Sequence, residues 1–413
     1  MDSKRIVCVD LGTSKVLAVF GIVENKTIKV EGYSPKIESQ GVESGVVQNI
    51  EKVSNTIKLA VEEAFKLKGD VPKKKTKLIL VINGNYIESE IEKGFVKVYD
   101  SDGEIQENDR IRVIKTSIQR VDTLEKSIIY IHPNEYIVDD LKGIKEPVGM
   151  IGSKLEVETF ILKAKKNVLS TLKKVVERSN FEVENFVYSP IASSYAVLEE
   201  EEINQGVLLM DIGMGTIDVA VWSKGALLYA NSFSFGGKLI VNDLIKILRI
   251  PNKTAKEILE SFNRIESEGE DEEIELKGIG ERPSKKFKIS LIKETIYSRV
   301  DELISLAKWH LDKVINWEKL SAGIVLVGGI AKLKGITEIA ESIFNLPCIV
   351  GKPKNFRGLS EDLAQDPSYS ASLGALKLGY ILRTVKYDDN KAKQGNIFSR
   401  GILKNIKEFF DNF

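Results

Sequence analysis

Two aspartates, Asp10 and Asp211, each sit near the end of an apolar run, and each opens a short turn rich in glycine and hydroxyls: CVDLGTSK and LMDIGMGT. Glycine lets a backbone approach a ligand closely and take positive φ. Successive N–H groups in such a turn make a concave anion site. Thr13, Ser14, Lys15 and Thr216 add hydroxyls and a cation suited to phosphate oxygens. A carboxylate at the end of each strand suits a hydrated Mg²⁺, which keeps several waters and takes few protein ligands. A third stretch, AGIVLVGGIAKLKGITEIAESIF (residues 322–344), reads as a buried strand, a Gly328-Gly329 turn and an amphipathic helix. A glycine pair there lets a flat ring lie against backbone. Two phosphate-type loops and such a turn make a three-point cradle for ATP.

The elements that must position this cradle repeat. RIVCVDLGTSKVLAVFGIVENKTIKV from Arg5 and VLLMDIGMGTIDVAVWSKGALLYANSFS from Val207 share one plan: strand, Asp-x-Gly turn, strand, strand. A spacing of about 200 residues points to two lobes facing one another, because solenoid periods run to ~20–50 residues. The length of 413 residues likewise exceeds one core.

Composition sets bounds on function. Lys+Arg and Asp+Glu number 60 each, so nothing favours nucleic acid or acidic surfaces in general. Hydrophobic residues make up 43 % and charged residues 29 %, an ordinary globular balance. Cys8 and Cys348, the only cysteines, lie in apolar runs and read as core residues of a reduced, cytosolic protein. The chain is expected to start directly with a strand, without a signal sequence. No apolar run approaches the ~18 residues of a membrane span.

These segments resemble a known family. DLGTSK, DIGMGTIDVAV and LVGGIAKLKG are similar to the phosphate 1, phosphate 2 and adenosine motifs of the actin/Hsp70/sugar-kinase superfamily. Within it the chain resembles the FtsA family of bacterial cell-division proteins from about residue 5 to 383. GVESGVVQNIEKVSNTIKLAVEEAF (41–65), IHPNEYIVDDLKGIKEPVGMIGSKLEVETFIL (131–162) and SPIASSYAVL (189–198) carry that likeness. The resemblance implies an α/β, actin-like two-lobed ATPase fold with an inserted 1C subdomain and a C-terminal amphipathic helix. Subdomain 1A would take residues 1–83 and 165–197, and 1C residues 84–164. Subdomain 2A would take 198–231 and 304–350, and 2B 232–303. Residues 351–383 would complete the core, 384–395 form a linker and 396–413 a membrane-targeting helix.

The same resemblance implies roles for single residues. Asp10 and Asp211 would orient Mg²⁺ and its waters. Gly12, Thr13, Ser14, Lys15, Gly213, Met214, Gly215 and Thr216 would hold phosphates. Gly236, Gly237, Lys238, Gly328, Gly329, Ile330 and Lys332 would surround the adenosine. The acidic ribose contact would fall to Glu257 or be lost to Lys256. Met214 and Ile330 stand where the family's loops commonly have glycine, and Val241 where threonine is usual. Arg299 matches an arginine on the side of 2B that binds the tail of the tubulin-like protein FtsZ, or else pairs within the chain with Asp301 or Glu302. The implied partners are the FtsZ C-terminal tail, further copies of the chain in actin-like protofilaments, an anionic membrane surface and later division proteins. The implied location is the cytoplasmic face of the inner membrane at the division site.

Fold alone does not make an enzyme. Relatives that hydrolyse ATP well carry Glu or Gln in the interlobe connection, where this chain has Ser189, so slow turnover at most is expected. Asp218 is the obvious base for a kinase, read here as structural or as a support to the Mg²⁺ site. His132 and His310 read as packed or capping residues. The acidic run 265–276 reads as a solvated loop. An actin-like scaffold for pilus assembly and a sugar-kinase-class enzyme are the alternatives. A chaperone is disfavoured, since nothing after residue 384 could form a substrate-binding domain.

TVKYDDNKAKQG (384–395) is polar and reads as a linker. Beyond it, Phe398, Ile402, Leu403, Ile406, Phe409, Phe410 and Phe413 share one helical face, with Arg400, Lys404, Lys407, Glu408 and Asp411 opposite. Such a short helix is marginal in water and needs a surface. Phe, Leu and Ile flanked by basic residues suit a membrane interface.

Overall fold

The structure, a computed structural model, describes residues 5–24, 27–267, 269 and 272–391, with side chains described as far as residue 383. Alternating and continuous apolar runs build two sheets. In the first, the strands run in the order Glu182–Tyr188, Lys77–Ile82, Arg5–Leu11, Lys15–Glu24, Thr27–Tyr33 and Phe356–Arg357. Arg5–Leu11 is parallel to Lys77–Ile82 and antiparallel to Lys15–Glu24. The second sheet repeats this plan: Val207–Ile212 is parallel to Gly323–Val327 and antiparallel to Ile217–Ser223. The two echoed sequences are thus equivalent three-strand meanders, one in each lobe.

Helices cover both faces because their apolar residues recur on one side. Ile50–Lys66 starts where the Asn49 side chain accepts from the Lys52 N–H, and it buries Val53, Ile57, Ala60, Val61 and Ala64. The interlobe helix Ser189–Val197 is buried along its whole length and packs against the last helix, Ser370–Lys391. Pro190, placed in the first turn, costs that helix no hydrogen bond.

The segment 84–164 forms three long strands, Ile87–Lys97, Lys126–Val138 and Lys154–Lys165, backed by the helix Glu107–Ile118. These strands extend the second lobe's sheet through pairing of Glu88 with Asn231. Asn134 strengthens the junction by exchanging two hydrogen bonds of 3.0 Å with the Leu227 backbone. The helix Ile289–Leu311 runs unbroken through residues 303 and 304, where a subdomain boundary was expected.

The structure corrects the sequence reading at the chain's end. Residues 384–391, read as the start of a linker, continue the helix Ser370–Lys391. Its core-facing part, including Leu373, Leu376 and Leu378, nucleates the helix, which then propagates into polar sequence. The expected amphipathic helix 396–413, with its seven apolar candidates, lies outside the described residues. Among the described residues, no helix is long and apolar enough to cross a membrane.

Candidate functional site

The two Asp-x-Gly turns meet at the mouth of a cavity of about 490 Å³ between the lobes. Each turn closes in the same way: the Gly12 N–H donates to the Lys15 carbonyl at 3.0 Å, and the Gly213 N–H to the Thr216 carbonyl at 3.0 Å. The turns also touch each other. A Cβ on Gly215 would lie 2.4 Å from Thr13 Oγ1 and 2.9 Å from Thr13 Cβ, so only glycine permits this approach. The third turn enters from below. Gly328 has φ +91°, and a Cβ there would stand 2.3 Å from an Asp211 carboxylate oxygen.

Asp10, Gly12, Thr13, Ser14, Lys15, Asp211, Gly213, Met214, Gly215, Thr216, Gly328, Gly329, Ile330 and Lys332 all line this cavity. Gly236, Gly237 and Lys238 sit behind the second turn. The Gly237 N–H donates to the Gly213 carbonyl at 3.0 Å, and the Lys238 N–H to the Met214 carbonyl at 2.8 Å. They buttress a phosphate-type loop, and the Lys238 ammonium reaches across the cleft to Glu43 of the first lobe. A second cross-cleft pair joins Lys256 to Glu38 at 3.3 Å.

One sequence-derived assignment needs correction. Glu257 does not line the cavity: it lies on the solvent side of the helix Asn252–Glu260, 3.9 Å from Lys253. Glu260 and Asn263 face the cavity instead. Arg299 is held by Asp243, and its other arm meets Glu302 at 2.6 Å. The intrachain pairing to Glu302 is therefore present, while Asp243, 56 residues away in sequence, had no local signal.

The electrostatics follow from burial. Asp10 is pushed up to about 7 by desolvation and then by Asp211, with Lys15 opposing. Asp211 is also raised by burial, although the Ser189 hydroxyl donates to it. Lys15 is lowered to about 8 by burial and by Lys36, against the pull of Asp10, Asp366 and Asp211. The cavity thus concentrates carboxylates that a cation would relieve. Among the described residues no cluster of three or more His, Cys, Asp or Glu could cage a metal. The pair Asp10 and Asp211 instead fits an ion carried largely by water and ligand oxygens, as Mg²⁺ prefers.

Asp218 does not line the cavity. It accepts from the Thr216 hydroxyl at 2.6 Å and from the Tyr188 hydroxyl at 3.2 Å, which fixes the second turn and removes it from the role of a base on a second substrate. The Thr216 hydroxyl is thereby committed inward, leaving its backbone to face a ligand. His132 is buried edge-on against Trp222, and His310 stacks on Phe233 and Phe235, so both are packing residues. Both cysteines are buried and unpaired.

Sequence reasoning missed Lys36, Asn83, Glu260, Asn263, Pro367 and Ser368 in the cavity wall. They come from loops and helix ends, and apart from Asn83, which precedes Gly84, no adjacent glycine announces them.

Comparison with known proteins agrees with this architecture. The family profile described as "Cell division protein FtsA" matches residues 208–374, and that of the "SHS2 domain inserted in FTSA" matches residues 84–163. The chain is 34 % identical over 416 aligned residues to the cell division protein FtsA of Neisseria meningitidis serogroup B, covering 100 % of this chain and 99 % of that one. It is 32 % identical to FtsA of Pseudomonas aeruginosa, covering 92 % and 90 %, and 29 % identical to that of Escherichia coli K12, covering 92 % and 91 %. Among solved structures, the PilM-PilN type IV pilus biogenesis complex superposes with a TM-score of 0.60 at 13 % identity, covering 91 % of this chain and 98 % of that one. MreB5 of Spiroplasma citri bound to ADP gives 0.57 at 16 %, covering 94 % and 100 %. These likenesses show the actin-like fold.

Proposed function

The chain belongs to the FtsA family of cell division proteins, and from that premise we propose that it binds Mg²⁺-ATP between its lobes, assembles with copies of itself, and tethers the FtsZ ring to the cytoplasmic membrane during division. The observation that carries the nucleotide reading is the abutment of the two matched turns at Thr13 and Gly215 over the Asp10–Asp211 pair. Mg²⁺, when bound, neutralises phosphate charge. The chain's own residues do the rest. Thr13 to Lys15 and Met214 to Thr216 present backbone N–H groups to phosphate oxygens, Gly328 and Gly329 offer a flat wall to the base, and Asp10 and Asp211 orient waters. Ser189 is committed to Asp211, so it leaves no strong group to position an attacking water. Turnover is accordingly slow, and ATP acts as a clamp on the closed state.

Closed subunits form actin-like protofilaments on the inner face of the membrane. The apolar face from Phe398 to Phe413 is the membrane foot. One such foot binds weakly, because partial insertion of side chains, each contributing roughly 1.5–3 kcal/mol at full burial, is set against roughly 1–2 kcal/mol of ordering per residue. Feet sharing one polymer gain avidity. Arg299 offers a pairing site for a carboxylate of the FtsZ tail once Asp243 or Glu302 yields. The likeness to a pilus complex is one of fold alone.

Sedimentation with anionic liposomes tests the tether. The full chain should pellet in an ATP-dependent manner and a chain ending at Lys391 should not; equal pelleting would refute the assignment. In the same assay Arg299→Glu should lose capture of an FtsZ-tail peptide while still binding liposomes. Undiminished capture would remove Arg299 from the partner site.

A further inference from the structure

Three neighbouring strands of the first lobe end at one level. Arg5–Leu11 runs parallel to Lys77–Ile82 with Asp10 opposite Val81, and Lys77–Ile82 runs parallel to Glu182–Tyr188 with Ile82 opposite Tyr188. Just beyond these pairs come Gly12, Asn83 and Ser189, and all three line the cavity between the lobes. Open α/β sheets place ligands beyond the carboxyl ends of their strands. Gly12 closes the first turn, and the Ser189 hydroxyl is taken by Asp211. The Asn83 side chain is the polar group of this row that no assignment above uses.

The wall behind Asn83 sets how its amide points. A Cβ on Gly45, at φ +79°, would stand 2.1 Å from the Asn83 carbonyl oxygen and 2.8 Å from Oδ1, so this loop approaches as only glycine can. Oδ1 is buried there without a donor. Among the described residues Nδ2 has no acceptor either, and it is the end of the amide left open to the cavity. The lobes are joined at this point. The Gly84 N–H donates to the Ser232 hydroxyl oxygen of the second lobe at 3.1 Å, and the Tyr188 hydroxyl donates to the Asn231 carbonyl. Asn83 thus stands at the joined end of the cavity, level with the first phosphate-type turn.

We propose that Asn83 is a specificity-determining residue whose Nδ2 donates to an oxygen of the nucleotide's terminal phosphate, so that a triphosphate is held more tightly than a diphosphate. This deepens the nucleotide reading above and rests on it. With the base against Gly328 and Gly329, the phosphate farthest along the ligand is the one that reaches the joined end of the cleft. ADP lacks that phosphate and leaves the amide unmet. The residue type suits the place. Asp10 and Asp211 already crowd this end with carboxylates, and a neutral donor meets an anionic oxygen without adding to them. An amide cannot take a proton from an attacking water, so Asn83 reads the terminal phosphate without hastening its loss.

Titration calorimetry on the full chain with two probes, Mg²⁺-ATP and Mg²⁺-ADP, tests this. Asn83→Ala should weaken ATP about tenfold or more, in keeping with loss of one hydrogen bond to a charged group, and leave ADP within about twofold. The ratio of the two affinities is the readout, because general damage to the cleft would lower both alike. Asn83→Asp keeps the shape of the side chain and sets a carboxylate against the terminal phosphate. It should weaken ATP more than Asn83→Ala does, and ATP more than ADP. Circular dichroism checks that both variants fold, and Asn83→Asp carries the test if the smaller side chain disturbs the wall. Equal losses for ATP and ADP, or an unchanged ATP affinity, overturn the proposal. Failure of the wild-type chain to bind either nucleotide would instead overturn the nucleotide reading itself.

Discussion

Gly215→Ala is the sharpest perturbation of the cleft, because its effect falls on one contact between the lobes. The added methyl would stand 2.4 Å from Thr13 Oγ1 and 2.9 Å from both Thr13 Cβ and Cγ2. Carbon atoms pack at ~3.5–4.0 Å, so the turns must separate by about 0.6–1 Å. Overpacking of this kind costs about 1–3 kcal/mol. The cost burdens only the closed arrangement, in which the turns abut, and spares each lobe's own core. Apparent ATP affinity should therefore fall about 5- to 150-fold, with the melting transition of the nucleotide-free chain little changed. Calorimetry with Mg²⁺-ATP reads the first quantity and circular dichroism the second. Thr13→Gly removes the three atoms nearest the methyl, so in that background Gly215→Ala should cost far less. A cycle in which the two losses simply add would refute the contact as the cause. Wild-type affinity in Gly215→Ala would refute the closed cradle as the binding state.

The acidity of the cleft makes a second prediction. Asp10 and Asp218 are each raised from 3.8 to about 7, so the stability they contribute is present below about pH 4 and lost as pH rises through about 7. Lys15 is lowered from 10.5 to about 8, so its contribution is present above its unfolded value and lost as pH falls through about 8. Without nucleotide or divalent cation the melting temperature should dip near pH 7–8, and Asp10→Asn should shallow the dip while abolishing cation-dependent nucleotide binding; a flat profile in wild type would contradict this. On the 2B helix, Glu260→Ala should weaken ATP binding and Glu257→Ala should not, by calorimetry. The opposite ranking would mean that the ligand sits elsewhere in the cleft.

How much of the site could be read from sequence depended on whether its signal was local. Asp10, Gly12 and Lys15 announce themselves because a strand end, a glycine and a cation fall within six residues, and the second turn repeats the strand-end aspartate and the glycine. Gly328 was legible for the same reason. Lys36, Asp366 and Ser368 had no such setting. Lys36 and Asp366 are 330 residues apart and meet because the end of the strand Thr27–Tyr33 reaches the turn before the last helix, where Tyr33 and Tyr369 meet edge to face and the Tyr369 hydroxyl donates to the Ser34 carbonyl. Glu257 and Glu260 share one helical face, and Glu260 reaches the cavity because it lies at the end of the helix, a position that face periodicity does not report.

The last helix shows why polarity misleads at an element's end. A polar run reports exposure to water, and an exposed helix turn is as polar as a coil. The 22 residues Ser370–Lys391 span about 33 Å as one rod, at 1.5 Å per residue. Residues just before the rod and in its first turn, Pro367, Ser368 and Ala371, line the cavity between the lobes. Further along, Arg383 grips Glu184 with two arms, at 3.0 Å and 2.7 Å, and donates to the Arg5 carbonyl at 2.6 Å. The rod is therefore seated at the cavity and clamped again where it leaves the first lobe. Any linker to the proposed membrane foot begins after Lys391, eight residues later than polarity suggested. A shorter linker confines each foot more tightly to its subunit, and effective concentration falls roughly as the −3/2 power of linker length beyond the optimum. On the proposed assembly, fewer subunits would then suffice for firm attachment than a long flexible tether would require.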